Sequence, residues 1–347
     1  MSFDKSINLF RKKITKALFV KAFNKSTSKI KTLENPEEII KILIVRPNQR
    51  LGNQLLITPL IQEVLTLFPN AKIDLFLKGG IGKTVFKNYN KIDKIITLPL
   101  KPFKELLQYI SCFISLRKQK YDLVINTVSY SSSGTIATKI ARSKYKLFGI
   151  VKNEEFPNYN DYLHNAKRPV YDFREGIKSI GLDIPQKQIP KIDIKLDANE
   201  LEQGRIKLKE IINNSKKIIC IFTYATRDKM YDKDWWSNFY THLKDSFATY
   251  TIIEVLPAEN ISQINFIAPT FYSKDIREIA ALISNTTLFI GADSGIMHLS
   301  CATNTTTIGL FSVTDLNIYQ PYSNKNFGIN TNNKSVNEII EKIKQVV

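Results

Sequence analysis

The chain has 347 residues, 43% of them hydrophobic and 24% charged, with a formal net charge of +18 at pH 7. That length accommodates two domains of ordinary size, and the absence of any uninterrupted run near the roughly 18 apolar residues of a membrane span excludes a bilayer-crossing protein. Three cysteines without paired ligand spacing (Cys112, Cys220, Cys301) and three histidines (His164, His242, His298) argue against a zinc site and for buried thiols in a reducing compartment.

The positive charge is uneven. Between Lys5 and Lys31 stand nine basic residues and no acidic one, with Phe3, Ile7, Phe10, Ile14 and Leu18 at helical spacing. This segment reads as a basic amphipathic helix that rests on an anionic membrane surface, the plainer alternative being a solvated helix packed on the body of the protein. Its longest apolar run, "ALFV", is too short for a secretory signal.

From residue 40 the pattern alternates between short apolar β-rich runs and helical ones. Strands are expected at 40–46, 71–77, 93–98, 121–127 and 145–150, with amphipathic stretches such as 101–118 between them. The stretch 181–197, proline-containing and poorly periodic, interrupts the pattern. Strands then follow at 216–224, 249–256, 264–269, 286–291 and 305–311, and a last helix at 335–347. Strand, helix, strand repeated in this way predicts α/β architecture with parallel sheets covered on both faces. The expected division is a basic N-terminal segment over 1–38, a first doubly wound domain over 39–185 and a second over 186–347, with ligands bound between them beyond the carboxyl ends of the strands.

Two motifs have ordinary explanations. "GGIGKT" (79–84) lacks the first glycine of a phosphate loop, since position 77 is Leu77, and reads as a strand-to-helix turn. "DKD" (232–234) precedes an evident helix, so Asp232 or Asp234 is a helix cap before it is a metal ligand.

"FIGADSGIMHLSCATN" (289–304) is more specific. A buried strand ends at Gly291, and Asp293, Ser294 and Gly295 open a helix whose first turn carries His298. Free backbone N–H groups and the helix dipole attract an anion there. Thr223, Thr226, Arg227 and Lys229, after the first strand of the same half, bring a lysine and an arginine to the same sheet edge, which suits a pyrophosphate. Glu259, after the next strand, is a candidate partner for a ribose or base. In the first half, "RPNQRLGNQLLITP" runs from strand to helix through Arg50, Gly52 and Asn53, with Pro59 expected to kink the helix.

In this order the pieces resemble glycosyltransferase family 9, the heptosyltransferase family of lipopolysaccharide core assembly. The resemblance covers most of 40–312 and is carried by "ILIVRPNQRLGNQLLITPLIQEVLTLFPNAKIDLF", "KMYDKDWW" and "LFIGADSGIMHLSCA". It implies a GT-B fold of two Rossmann-like domains facing a cleft, a nucleoside-diphosphate-sugar donor in the second, inversion at the anomeric carbon and no required metal or other cofactor. On its terms Lys229 is the donor-phosphate lysine, Thr226 lines the phosphates, and Asp293, Ser294, Gly295 and His298 form the donor turn. Gly52-Asn53 stands where the family has Gly-Asp, the aspartate being its general base. Asparagine takes no proton at neutral pH, so the transfer either runs slower without this base or uses a different one. Of His164, Asp161, Asp172 and Glu175 near the end of the first half, His164 has the most suitable unperturbed pKa.

The expected function is therefore an inverting, metal-independent transfer of heptose or a related sugar. The donor would be nucleoside-diphosphate-linked, with ADP among the candidates, and the acceptor a lipopolysaccharide core or another cell-surface glycan. The acceptor would be an anionic glycolipid at the cytoplasmic face of a bacterial inner membrane, with residues 1–31 holding the protein peripherally beside it. Two alternatives stay open: a binding-only homologue acting as sugar-nucleotide sensor or assembly scaffold, and a GT-B transferase of another surface polysaccharide. Nucleic acid is not an expected partner, because no interleaved aromatic and basic motif accompanies the charge.

Overall fold

A computed structural model describes residues 32–128, 130–149, 159–185, 187–213, 216–323 and 325–346. The basic segment 1–31, expected to meet a membrane, lies outside the described residues.

Five strands, β1 (Lys41–Val45), β2 (Lys72–Lys78), β3 (Ile92–Leu98), β4 (Lys120–Asn126) and β5 (Arg142–Leu147), form a parallel sheet in the order β3-β2-β1-β4-β5. Strand β1 pairs on both sides, Ile42 with Ile73 and with Leu123. The near-continuous apolar runs follow from burial on both faces. Ile42 and Ile44 join the core that contains Leu60, Val64 and Phe173. Leu43 and Val45 point the other way, toward Phe113, Leu116 and Ala137 on the helices Leu106–Lys118 and Ser132–Ile140.

A second parallel sheet contains β6 (Lys217–Phe222), β7 (Tyr250–Val255), β8 (Thr270–Phe271), β9 (Leu288–Ala292), β10 (Thr306–Phe311) and β11 (Phe327–Asn330), ordered β11-β10-β9-β6-β7-β8. In each sheet the chain starts near the middle, builds one edge and returns to build the other. The reversal leaves crevices at β1/β4 and β6/β9, where open α/β sheets bind ligands. One face of the second sheet packs on the helices Lys233–Ser246 and Val336–Lys344, with Trp236, Phe239, Ile339 and Ile343 in one cluster. Burial of each such side chain contributes about 1.5–3 kcal/mol.

Several expectations shift. The apolar stretch 264–269 is a turn, not a strand: Ser262 Oγ accepts the amides of Ile264 and Phe266 (both 3.1 Å), and Asn265 and Phe266 have φ of 52° and 59°. Pairing beside β7 falls instead to the two residues of β8. Strand β5 begins at Arg142, before the expected start at 145, and β11 was not anticipated. The 101–118 stretch opens as a turn closed by Lys104 N–H on Lys101 O, with the helix starting only at Leu106. Pro59 kinks nothing: the helix Leu51–Leu55 ends, and Pro59 sits in the first turn of a second helix, Thr58–Leu67, where no N–H is needed. Asp232 caps its helix by accepting from Trp235 N (2.7 Å).

Residues 188–197 contain no helix or strand, yet are held from both sides. Tyr89 donates to Asp193 O (2.6 Å), and Asp193 N–H donates to Thr58 Oγ1 (3.1 Å). From the helix Ile276–Ser284, the buried Arg277 donates to Ile194 O (3.1 Å), Lys195 O (3.0 Å) and Thr84 O (3.2 Å), and its guanidinium grips Glu200 at 2.6 and 2.7 Å.

Candidate active site

The two bodies meet where the helix Leu51–Leu55 faces the helix Gly295–Cys301. A Cβ on Gly52 would stand 2.7 Å from Cδ2 of His298, and one on Gly295 would stand 3.3 Å from Cβ of Leu51. Both glycines are thus explained by close approach across the cleft. His298 is buried and its Nδ1 has no hydrogen-bond partner. Burial pulls its pKa to about 4, so at neutral pH the imidazole is uncharged.

Beside this contact, at the carboxyl edge of the second sheet, lies a cavity of about 250 Å³. Its walls are apolar, with Phe222, Leu256, Ile276 and Ile296, and its polar lining includes Thr226, Glu259 and Ser294. Ser294 is the N-cap, its Oγ accepting from Met297 N (3.2 Å). The amides of Gly295 and Ile296, which also line the cavity, have no intrahelical partner by their position in the first turn.

Lys229 comes to this place through a 3-10 turn, Arg227–Lys229, bent by φ of 60° at Arg227. Its Nζ lies 2.5 Å from Oδ2 of Asp293 and 5.5 Å from the ring centre of Tyr319. Asp293, with 5% of its surface exposed, therefore pairs with a cation and leaves the capping to Ser294. A half-buried ammonium paired with the residue before the helix start, whose Ser294, Gly295 and Ile296 line an apolar cavity, suits a phosphate group attached to a flat apolar body.

Across the cleft, Asn53 is held by a residue that sequence reasoning passed over. Arg46, at the carboxyl end of β1, is 3% exposed and donates through Nη2 to Asn53 Oδ1 (3.2 Å) and through Nη1 to Thr127 O (3.3 Å). Its Nε has no partner and no carboxylate lies within ion-pair distance among the described residues. Burial depresses its pKa to about 10, with the charge of Arg168 adding to the effect. The one clue in the sequence was a charged residue closing a buried strand. Because Oδ1 accepts from Arg46, the group Asn53 keeps for another partner is its amide donor.

Three proposed site residues are placed otherwise. Thr223 does not line the cavity: it is buried, donates to Glu254 Oε1 (2.6 Å) and accepts from Gln263 N (3.2 Å). Arg227 is exposed and outside the cavity lining. His164 does not have the geometry of a base. Its Nδ1 accepts from Ala166 N (3.2 Å), so Nε2 carries the proton and donates to Gln320 O (2.8 Å). Burial brings its pKa to about 4, and it acts as a latch between 164 and the 316–322 segment. Of the neighbouring carboxylates, Asp161 accepts from Lys167 and Tyr171 (2.6 and 2.7 Å), Asp172 from Tyr162 and Glu175 from Tyr159. Arg50 is exposed at the start of the helix that carries Gly52 and Asn53. Among the described residues no group of three His, Cys, Asp or Glu side chains stands close enough to hold a metal ion, and no helix is long and apolar enough to cross a membrane.

The chain is similar to known proteins. The family described as glycosyltransferase family 9 (heptosyltransferase) matches residues 110–344. Lipopolysaccharide heptosyltransferase 1 of Campylobacter coli is 25% identical over 254 residues, spanning 66% of this chain and 72% of the relative. Lipopolysaccharide heptosyltransferase 3 of Escherichia coli is 22% identical over 293 residues, spanning 79% and 84%. Among solved structures, E. coli ADP-heptose lipopolysaccharide heptosyltransferase II superposes with a TM-score of 0.67 at 15% identity, covering 88% of this chain and 98% of that one. E. coli heptosyltransferase WaaC with ADP gives 0.66 at 15% identity, covering 89% and 100%. The matched segment takes in more than half of the sequence, including Lys229, the turn at 293–298 and all of the cavity lining except Leu51, and the chain therefore belongs to glycosyltransferase family 9, as a glycosyltransferase of GT-B fold.

Proposed function

We propose that the protein transfers heptose or a closely related sugar from a nucleoside-diphosphate donor to a lipopolysaccharide-core or similar cell-surface glycan acceptor, with inversion and without a required metal. Residues 39–185 form the acceptor side and 186–347 the donor side. The observation that carries this reading is the Lys229–Asp293 pair, whose aspartate directly precedes Ser294 in the lining of the apolar cavity. The names of the relatives, heptosyltransferases with ADP and ADP-heptose among their ligands, favour an ADP-linked donor.

In this reading the nucleoside fills the cavity, with Glu259 at its ribose, and the pyrophosphate takes Asp293's place at Lys229. The acceptor oxygen forms its bond to the anomeric carbon and gives up its proton to water as the bond to the β-phosphate oxygen breaks, and the electron pair leaves with the nucleoside diphosphate. Lys229, with Thr226 and the amides of Gly295 and Ile296, stabilises the growing negative charge. His298, neutral and pressed on Gly52, positions the helix start and carries no charge to the phosphates.

Asn53 turns an amide donor toward the acceptor, so it orients a hydroxyl but removes no proton. General-base catalysis typically contributes ~10²–10⁴-fold, and the chain forgoes that factor at this position. The same observation favours a second reading, a binding-only homologue that senses sugar nucleotides or scaffolds assembly. Asn53→Asp separates the two: turnover gained by the variant where the native chain has none supports the binding-only homologue.

Metal-free calorimetric titration with ADP-, GDP-, UDP- and dTDP-sugars tests the donor side. Selective binding, weakened roughly 10–150-fold by Lys229→Ala as expected for a charge-assisted hydrogen bond of about 1.5–3 kcal/mol, supports the reading. Equal affinity in the variant, or no binding to any donor, refutes it.

A further inference from the structure

The helix Leu106–Lys118 and the turn before it carry apolar side chains that no other part of the described protein covers. Leu107 is 85% exposed, and Leu100, Phe103, Leu106 and Ile114 are each about half exposed. Leu107 and Ile114, seven residues apart, fall on one outward stripe away from Cys112, Phe113 and Leu116, which face the sheet, and Leu106 sits at the exposed first turn. Monomeric proteins rarely leave such a contiguous patch open to water without a partner for it.

Its position is informative. The turn follows the carboxyl end of β3, and Leu100 approaches Gly79 alongside Gln49, in the loop that leads into Arg50 and Gly52. Tyr130, 77% exposed, stands at the same sheet edge after β4. The patch thus flanks the mouth of the cleft on its first-sheet side. Exposed Lys101, Lys104, Arg117 and Lys118 surround it, against a single acid, Glu105.

We propose that this face docks on an anionic lipid surface, its apolar side chains entering the headgroup boundary and its lysines meeting phosphates. Exposed apolar side chains ringed by basic ones suit insertion at an anionic headgroup boundary, and near-surface lysines are drawn to anionic lipid within a Debye length. The surface is distinct from the basic segment 1–31. It would bring the cleft mouth to the bilayer, so that an acceptor with a lipid anchor enters without leaving the membrane. This use of the surface rests on the glycolipid-acceptor reading above, whereas the docking itself does not.

Co-sedimentation of the full chain with vesicles of phosphatidylcholine alone, and of phosphatidylcholine with phosphatidylglycerol, tests it. The Phe103→Glu, Leu107→Glu double variant changes only exposed residues, and Ile267→Glu, an exposed apolar residue at 59% on the second sheet's side, is the control. The expected result is binding to anionic vesicles by the native chain and the control, with at least a tenfold lower partition for the double variant. The proposal is overturned by a double variant that partitions like the native chain, by a native chain that ignores anionic vesicles, or by a native dimer in gel filtration that the double variant abolishes. Vesicle binding without sugar-nucleotide binding would leave the surface standing while refuting the donor reading.

Discussion

Replacing Asn53 by aspartate adds a negative charge 3.2 Å from a guanidinium that has none beside it. The depression of the Arg46 pKa to about 10 corresponds to roughly 3 kcal/mol spent on burying that charge. A carboxylate at the same distance recovers part of it. Once the carboxylate's own partial desolvation is subtracted, about 1–3 kcal/mol of added stability is expected, within the range for hydrogen bonds to charged groups. At about 2–4 °C per kcal/mol for bodies of this size, the melting temperature at pH 7 should rise by several degrees. The sign follows from linkage: beside Arg46 the new carboxyl has a folded pKa below its unfolded value of about 3.9. Its contribution is therefore complete above that value and disappears as pH falls through the folded one. Thermal melts of both chains across pH 7 to pH 3 read the difference directly. A variant less stable than the native chain at pH 7, or a gain that persists unchanged at pH 3, would refute the picture of Arg46 as an uncompensated buried cation.

His164→Gln keeps a donor near Gln320 O, so the protein should fold and retain at least half of its turnover, whereas a base at this position would lose ~10²-fold or more. The same variant checks acid stability. His164 and His298 both have folded pKa values of about 4, below the unfolded 6.5, so each contributes stability above pH 6.5 that is lost as pH falls toward 4, up to about 3 kcal/mol apiece. Denaturant melts at pH 7 and pH 4.5 should therefore show a smaller loss in His164→Gln than in the native chain. Gly52→Ala pushes a methyl into the His298 ring and should cost about 1–3 kcal/mol while lowering turnover, both measurable on the purified variant. Arg277→Met removes the guanidinium from Thr84 O, Ile194 O and Lys195 O and from Glu200, which keeps only Lys87, Asn88 and the Asp197 amide, and should cost about 3 kcal/mol at pH 7. The guanidinium holds the Glu200 carboxyl down at about 2, so the native chain's share of this stability fades between pH 4.5 and 2, and the variant's melts should be flatter over that interval.

The interior strands were legible because burial on both faces demands the continuous apolar runs that "ILIV" and "LFIG" display. Edges were harder. In β5, "RSKY" is polar enough to hide its start, β11 is only four residues long, and at 264–269 an apolar run lost its strand to one serine hydroxyl that captures two amides. At the site, the turn at 291–298 could be read because a glycine, an N-cap serine and a buried strand are all local features. Thr223 could not be placed, since its partner Glu254 belongs to the neighbouring strand, and His164 is explained by Gln320, 156 residues away. Arg46 lay in plain view within "IVRPNQRLGN", but its meaning depends on an unpartnered Nε and on Asn53 folding back over it. Tyr319 stacks under Lys229 from a four-residue helix whose sequence carries no signal of its own.

The hold of Arg277 also constrains how the cleft opens. Its guanidinium is bonded at once to the helix Gly82–Val85 through Thr84 O, to the connecting stretch through Ile194 O and Lys195 O, and to the start of the helix Ala198–Ile211 through Glu200. Of these partners only Thr84 O belongs to the first body, which also reaches the pair through Lys87 and Asn88 on Glu200. Pulling the bodies straight apart would break these three links together, whereas a swing about this pin keeps most of them. Ile276, which lines the cavity, is the residue next to the pin. A molecule filling the cavity thus presses on the fulcrum, where a small displacement becomes a large movement at the far rim of the cleft.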